Sequence, residues 1–176
     1  MKQKFVEYYM RLADETAKLS SAVRLQVGSV IVRDQQILAT GYNGTPTGWN
    51  NDCEDIELMP YDSIQNLDPT EIWHQWPYQG NFWIDGVFVE KRYRLKTKSE
   101  VLHAESNALM KIARSTESSD GAAMFCTHAP CLECAKLIYQ SGIKKLYYRD
   151  TYRDFSGVEF LQKGNVDVEQ YNSNKS

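Results

Sequence analysis

The chain has 176 residues, 42% hydrophobic and 24% charged, which suits one globular domain, 1–176, and leaves little for a second. A net charge of −3, from 20 basic and 23 acidic side chains, excludes a surface built to neutralise many phosphates, so no nucleic-acid partner is expected. The opening MKQKFVEYYM lacks the apolar core of a signal peptide, and no run approaches the roughly 20 apolar residues of a membrane span, so a cytosolic chain with reduced cysteines and no membrane contact is expected.

Residues 3–19 place Phe5, Tyr8, Tyr9, Leu12, Thr16 and Leu19 near helical spacing, which predicts an amphipathic first helix. QVGSVIVRDQQILATGYNG then gives two apolar runs divided by Asp34-Gln35, the pattern of a β-hairpin. From about Asn50 to Lys98 the composition changes: three of the four tryptophans and three of the five prolines fall here, with acids early and KRYRLKTK late. A stretch this long without a clear period reads as an elaborated insertion whose central aromatics pack on the main domain. Beyond it the pattern alternates. A helix from His103 to about Ser115 has Ala104, Ala108, Leu109 and Ile112 on one face, and AAMFCT forms a short buried strand. PCLECAKLIYQSG is a helix with proline in its first turn and glycine just past its end. IKKLYYRD, FSGVEFLQKG and NVDVEQY add strand, helix and strand, and the polar tail YNSNKS is expected to fray. Helices alternating with strands imply an α/β sheet covered on both faces.

The chemistry concentrates at two predicted helix starts. His103 and Glu105 stand two residues apart at one, and Cys131 and Cys134 three apart at the other, where the helix N-terminus favours thiolates. A Cys-x-x-Cys pair alone is ambiguous between metal and redox chemistry. Here the pair follows His-Ala-Pro rather than the tryptophan-glycine of thioredoxin-like redox motifs, and a histidine is available upstream. His103, Cys131 and Cys134 make three ligands of a tetrahedral zinc and leave a fourth position for water, the arrangement of a catalytic site. Glu105 beside that water is placed to accept and pass on a proton.

The pattern His-Ala-Glu followed by Pro-Cys-Leu-Glu-Cys resembles the zinc-dependent cytidine and deoxycytidylate deaminase superfamily. QVGSVIV, GYNGTPTG, HAESNAL and APCLECAKLIYQSGIKKLYY narrow the resemblance to deoxycytidylate (dCMP) deaminases, with 50–98 similar to the variable insertion of phage-type members. The resemblance implies a three-layer α/β/α fold with a mixed five-stranded sheet. It implies hydrolysis of dCMP to dUMP and ammonia, supplying dUMP for thymidylate, with one zinc per chain and Glu105 as proton carrier. Substrate contacts implied are Arg24 at the 5′-phosphate, the Ala104 N–H at the base carbonyl, Asn43 at the sugar and Tyr152 in the same pocket. For Asn43 an Asn-Gly hairpin turn is the alternative. Tyr42, Asn43 and Gly44 are implied in a magnesium-triphosphate effector site, with dCTP activating and dTTP inhibiting a homo-oligomer, a hexamer. The working place is the cytoplasm, that of a host if the chain is phage-encoded.

Other residues have plainer readings. Cys126 on the apolar strand reads as a core residue and His128 as a pocket wall. A second, structural zinc is not expected, because the insertion offers only Cys53 and His74, and Ser20 and Ser21 stand where a cysteine ligand would be wanted. Rival substrates are dCTP, free cytidine and a tRNA adenosine, the last opposed by the acidic balance. A zinc-stabilised binding module is the non-enzyme rival, and Glu105 argues against it, since a structural metal needs no adjacent carboxylate.

Overall fold

The computed structural model describes residues 1–58, 78–84, 86–151 and 154–172. Helix α1 (Gln3–Ala17) buries Val6, Tyr9, Met10, Ala13, Thr16 and Ala17. The helix is as expected, but its inward stripe is rotated. Tyr8 is 49% exposed and Leu19 66%, while Phe5 and Leu12 lie at the margin of the core. At its C-terminal end the helix backbone presses on Gly28, where a β-carbon would stand 2.1 Å from the Ala13 carbonyl oxygen and 2.6 Å from the Ala17 nitrogen, and this close approach turns the Ala13 and Ala17 side inward.

Strands β1 (Gly28–Arg33) and β2 (Gln36–Tyr42) form the expected hairpin. Asp34 and Gln35 turn it, with φ of 52° and 65°, the left-handed pair that a tight two-residue turn requires. The hairpin turn is therefore here and not at Asn43-Gly44. Strand β3 (Glu54–Leu58), β4 (Tyr78–Ile84) and β5 (Val87–Thr97) make a separate antiparallel sheet in the order β3-β5-β4. The acids and bases noted at the two ends of the insertion meet across it. Arg94 donates to Glu57 at 2.6 Å, Lys96 lies 3.2 Å from the same carboxylate, and Lys98 3.8 Å from Asp55. The central aromatics expected to pack on the main domain include Trp73 and Trp76, which lie outside the described residues.

Helix α2 (Ala104–Ala113), β6 (Ala123–His128), α3 (Leu132–Gln140), β7 (Lys145–Asp150), α4 (Ser156–Lys163) and β8 (Asp167–Gln170) follow. The large sheet runs β2-β1-β6-β7-β8; β1 is antiparallel to β2 and β6, and β7 is parallel to β6 and β8. Alternation along the strands splits the core in two. Val30, Val32, Phe125 and Tyr147 face α1, with the Phe125 and Tyr147 rings stacked at 4.8 Å. Ile31, Met124, Cys126, Leu146 and Tyr148 face α2, α3 and α4. Cys126 is thus the core residue expected. No helix among the described residues is long and apolar enough to cross a membrane.

Candidate active site

Both chemical helix starts are held by packing rather than by their own sequence. Helix α2 lies against β2 at Gly41, where a β-carbon would stand 2.2 Å from the Ala104 carbonyl oxygen and 2.6 Å from the Ala108 nitrogen. Nothing larger than glycine fits. Ser29, fully buried on β1, donates its hydroxyl to the Ala104 carbonyl at 2.8 Å, and the Asn107 side-chain amide donates to the Tyr42 carbonyl at 2.9 Å. Two backbone hydrogen bonds, Gly44 N–H to Leu102 carbonyl at 3.1 Å and the reverse at 2.8 Å, fasten the GYNG stretch one residue ahead of His103. Helix α4 closes on the other start at Gly157, where a β-carbon would meet the Pro130 carbonyl oxygen at 2.1 Å.

His103 and Cys131 are the N-cap residues of α2 and α3, in extended conformation, rather than members of the helices. Pro130 accordingly precedes the cap instead of occupying the first turn. Cys134 alone of the pair is helical, and it is 3% exposed. The reason is useful to a metal site: an extended cap swings its side chain back over the helix start, where it can meet one from the first turn.

The three side chains converge. His103 Nδ1 is 3.5 Å from Cys131 Sγ and 3.4 Å from Cys134 Sγ, and all three atoms lie within 4.8 Å of one another. Zinc bond lengths of about 2.3 Å to sulfur and 2.0 Å to nitrogen, at tetrahedral angles, put such atoms roughly 3.5 Å apart, so the donor set fits zinc. The three groups share their protons unevenly. Hydrogen bonds from Cys134 and then His103 bring the Cys131 thiol down to about 3, and the bond to Cys131 raises the His103 imidazole. The bond to Cys131 holds the Cys134 proton, pushing that thiol upward. A divalent cation takes the place of these shared protons.

Glu105 occupies the first turn of α2 and is 4% exposed. Burial is the main cause that raises its carboxyl above the ordinary range, opposed by its own backbone N–H and by His103. It stands among the ligands without belonging to their cluster. A buried carboxyl in that position matches a proton carrier better than a structural prop.

The sequence profile of the cytidine and deoxycytidylate deaminase zinc-binding region matches residues 3–150. The chain belongs to this deaminase family. Deoxycytidylate deaminase of Enterobacteria phage T2 is 35% identical over 148 residues, 81% of this chain and 78% of the phage protein. ComE operon protein 2 of Bacillus subtilis is 30% identical over 165 residues, 93% of this chain and 69% of its own. The crystal structure of dCMP deaminase from cyanophage S-TIM5, in complex with dCMP and dUMP, has a TM-score of 0.72 at 37% identity, covering 97% of this chain and 99% of that one. The cytidine-deaminase-like α/β fold expected from the sequence is the fold found.

The remaining residues singled out from the deaminase resemblance divide into three groups. Ala104 is the first residue of α2, so its N–H is one that the helix leaves without an internal acceptor. Asn43 does not make a hairpin turn. Its Oδ1 accepts the Val27 N–H at 2.8 Å and its Nδ2 donates to the Leu25 carbonyl at 2.8 Å, so it pins the segment that enters β1. That segment carries Arg24, which links Arg24 to the metal cluster through Asn43, Gly44 and Leu102. Tyr42 ends β2, with Lys111 Nζ 5.7 Å from its ring centre, and a β-carbon on Gly44 would meet only the Tyr42 ring edge at 3.9 Å. The close backbone approach in this stretch is thus made at Gly41 and not at Gly44.

Tyr152 and His74 lie outside the described residues. His128 ends β6, its Nδ1 3.0 Å from Thr127 Oγ1 and its Nε2 3.7 Å from Asp150, and it is not a member of the ligand cluster. Cys53 is buried beside Ala22 and Val101, with its sulfur 3.3 Å from Ser21 Oγ. Sequence reasoning missed Ser29, Asn107 and Gly157 as the groups that set the helix starts. An interior strand glycine such as Gly41 is the signal that could have found the close packing.

Proposed function

We propose that this chain is a zinc-dependent dCMP deaminase, converting dCMP and water to dUMP and ammonia and so supplying dUMP for thymidylate. The observation that carries the reading is the buried Glu105 carboxyl beside a His-Cys-Cys cluster spaced for zinc. Similarity to the S-TIM5 enzyme, bound to dCMP and dUMP, supports the choice of nucleotide. His103, Cys131 and Cys134 would hold one zinc per chain. Bound there, zinc supplies Lewis acidity that makes water acidic enough to be a nucleophile near neutral pH.

The chain's own groups do the rest. Glu105 takes a proton from the attacking water as its oxygen bonds C4, and delivers it to N3 of the cytosine. A second proton passes through Glu105 from the new hydroxyl to the amino group; the C4–N bond breaks, ammonia leaves and the C4 carbonyl forms. Burial suits the carboxyl to this work, because it holds a proton more readily than an exposed glutamate. The N–H of Ala104 reads the base carbonyl. Asn43 contacts the sugar with the lone pair and N–H that its backbone bonds leave over, Arg24 contacts the 5′-phosphate, and Tyr152 completes the pocket.

The same reading includes regulation. The bridge between Gly44 and Leu102, next to His103, supports reading Tyr42, Asn43 and Gly44 as the stretch through which a magnesium-triphosphate effector biases the site. On this reading dCTP activates, dTTP inhibits, and the enzyme is a homohexamer of one-domain subunits at work in the cytoplasm. The reading is tested by ammonia release from dCMP, dCTP, deoxycytidine and CMP under matched conditions, with dCMP expected to be the best substrate. Fastest turnover of dCTP would make the triphosphate the substrate, and no turnover of any would leave a zinc-binding module.

A further inference from the structure

Arg24 sits in the stretch 18–27 between α1 and β1, which contains neither helix nor strand. Side chains hold it from two directions. From the large sheet, Asn43 grips Leu25 and Val27, and Ser20 Oγ donates to the Asn43 carbonyl at 2.7 Å. From the small sheet, the Glu54 carboxylate accepts the Val23 N–H at 3.1 and 3.3 Å and the Arg24 N–H at 3.1 Å. Thr97 Oγ1 accepts from the Arg24 guanidinium at 3.1 Å. Glu54 and Thr97 are direct cross-strand partners on β3 and β5, so one rung of that sheet holds both the backbone and the head of the arginine.

The chemistry of this grip is selective. Glu54 spends its charge on two backbone N–H groups, and among the described residues Arg24 makes no ion pair. The guanidinium is steadied by a neutral hydroxyl, which leaves its positive charge and most of its donors for an anion. An arginine held in place beforehand also loses less rotamer freedom when it binds.

We infer that Glu54 and Thr97 are positioning residues for Arg24, so that the small sheet sets how strongly the enzyme prefers a nucleoside monophosphate to the nucleoside. The inference rests on the reading of Arg24 as the phosphate contact. The test uses the zinc-loaded full chain and compares steady-state kinetics on dCMP and deoxycytidine. Glu54→Ala should raise KM for dCMP about tenfold and Thr97→Val about threefold, with kcat nearly unchanged and kcat/KM for deoxycytidine within about twofold. Thr97→Ser, which keeps the hydroxyl, should restore the parental KM. In an Arg24→Ala background neither change should add anything.

Losses shared equally by both substrates would overturn the inference, as would a phosphate-selective effect of Arg24→Ala that Glu54→Ala and Thr97→Val fail to reproduce. If Arg24→Ala itself shows no selectivity for dCMP, the phosphate reading of Arg24 falls and this inference falls with it. Thr97 is exposed, so its variants report even if Glu54→Ala fails to fold.

Discussion

The two ends of the proposed nucleotide site are built differently. At the metal end, His103, Glu105, Cys131 and Cys134 stand on or beside the first turns of helices whose inward faces are buried in the core. At the phosphate end, Arg24 rides on irregular chain, held by the side chains of Asn43, Glu54 and Thr97. Bond making demands placement to fractions of an ångström, which buried backbone supplies; recognition of a charged group tolerates a looser mount. The two functions should therefore separate under mutation.

The sharpest break falls at the metal end. Cys134→Ala should lose zinc and essentially all activity together, against one zinc per parental chain by elemental analysis; retention of metal would mean another ligand replaces the sulfur. Glu105→Ala should come next, keeping its zinc while kcat falls on the order of a thousandfold, because only the proton carrier is removed. A variant deaminating dCMP near the parental rate would leave the proton relay without its carrier.

Arg24→Ala sharpens the comparison from the other side. Loss of a charge-assisted phosphate contact should raise KM for dCMP about 10- to 100-fold and leave the weaker turnover of deoxycytidine little changed, with zinc content and melting temperature as in the parent. The effector response should be smaller. Velocity against dCMP should be sigmoidal alone, hyperbolic with dCTP and magnesium, and shifted to higher substrate by dTTP, each shift of about tenfold corresponding to about 1.4 kcal/mol of differential binding. Hyperbolic curves indifferent to both triphosphates, from a protein that sediments as a monomer, would remove regulation and leave the zinc chemistry intact. The smallest effect is expected at Gly44→Ala. Its new methyl meets only the Tyr42 ring edge, so thermal unfolding should shift by no more than a few degrees, whereas Gly41→Ala, pressed on α2, should unfold far earlier.

The His-Cys-Cys donor set with Glu105 beside it, the alternation of helices and strands, and the hairpin at Asp34-Gln35 were all legible in the sequence. Each is a local signal: ligand chemistry at spacings of two and three residues, a hydrophobic period, a polar break between apolar runs. What local pattern could not decide was anything set by partners distant along the chain. The buried face of α1 combines Val6, Tyr9 and Met10 with Ala13 and Ala17, and leaves Tyr8 exposed, a choice set by the sheet it packs on. The β3-β5 pairing, with Glu57 against Arg94, joins residues 37 apart, a separation at which no periodicity appears. For Asn43 tertiary structure set aside the hairpin turn and added a clamp on Leu25 and Val27 that no local pattern announces. Sequence determined which atoms could do the chemistry, because reactivity belongs to side-chain type; the fold decided where each would stand, because position depends on every surface packed against it.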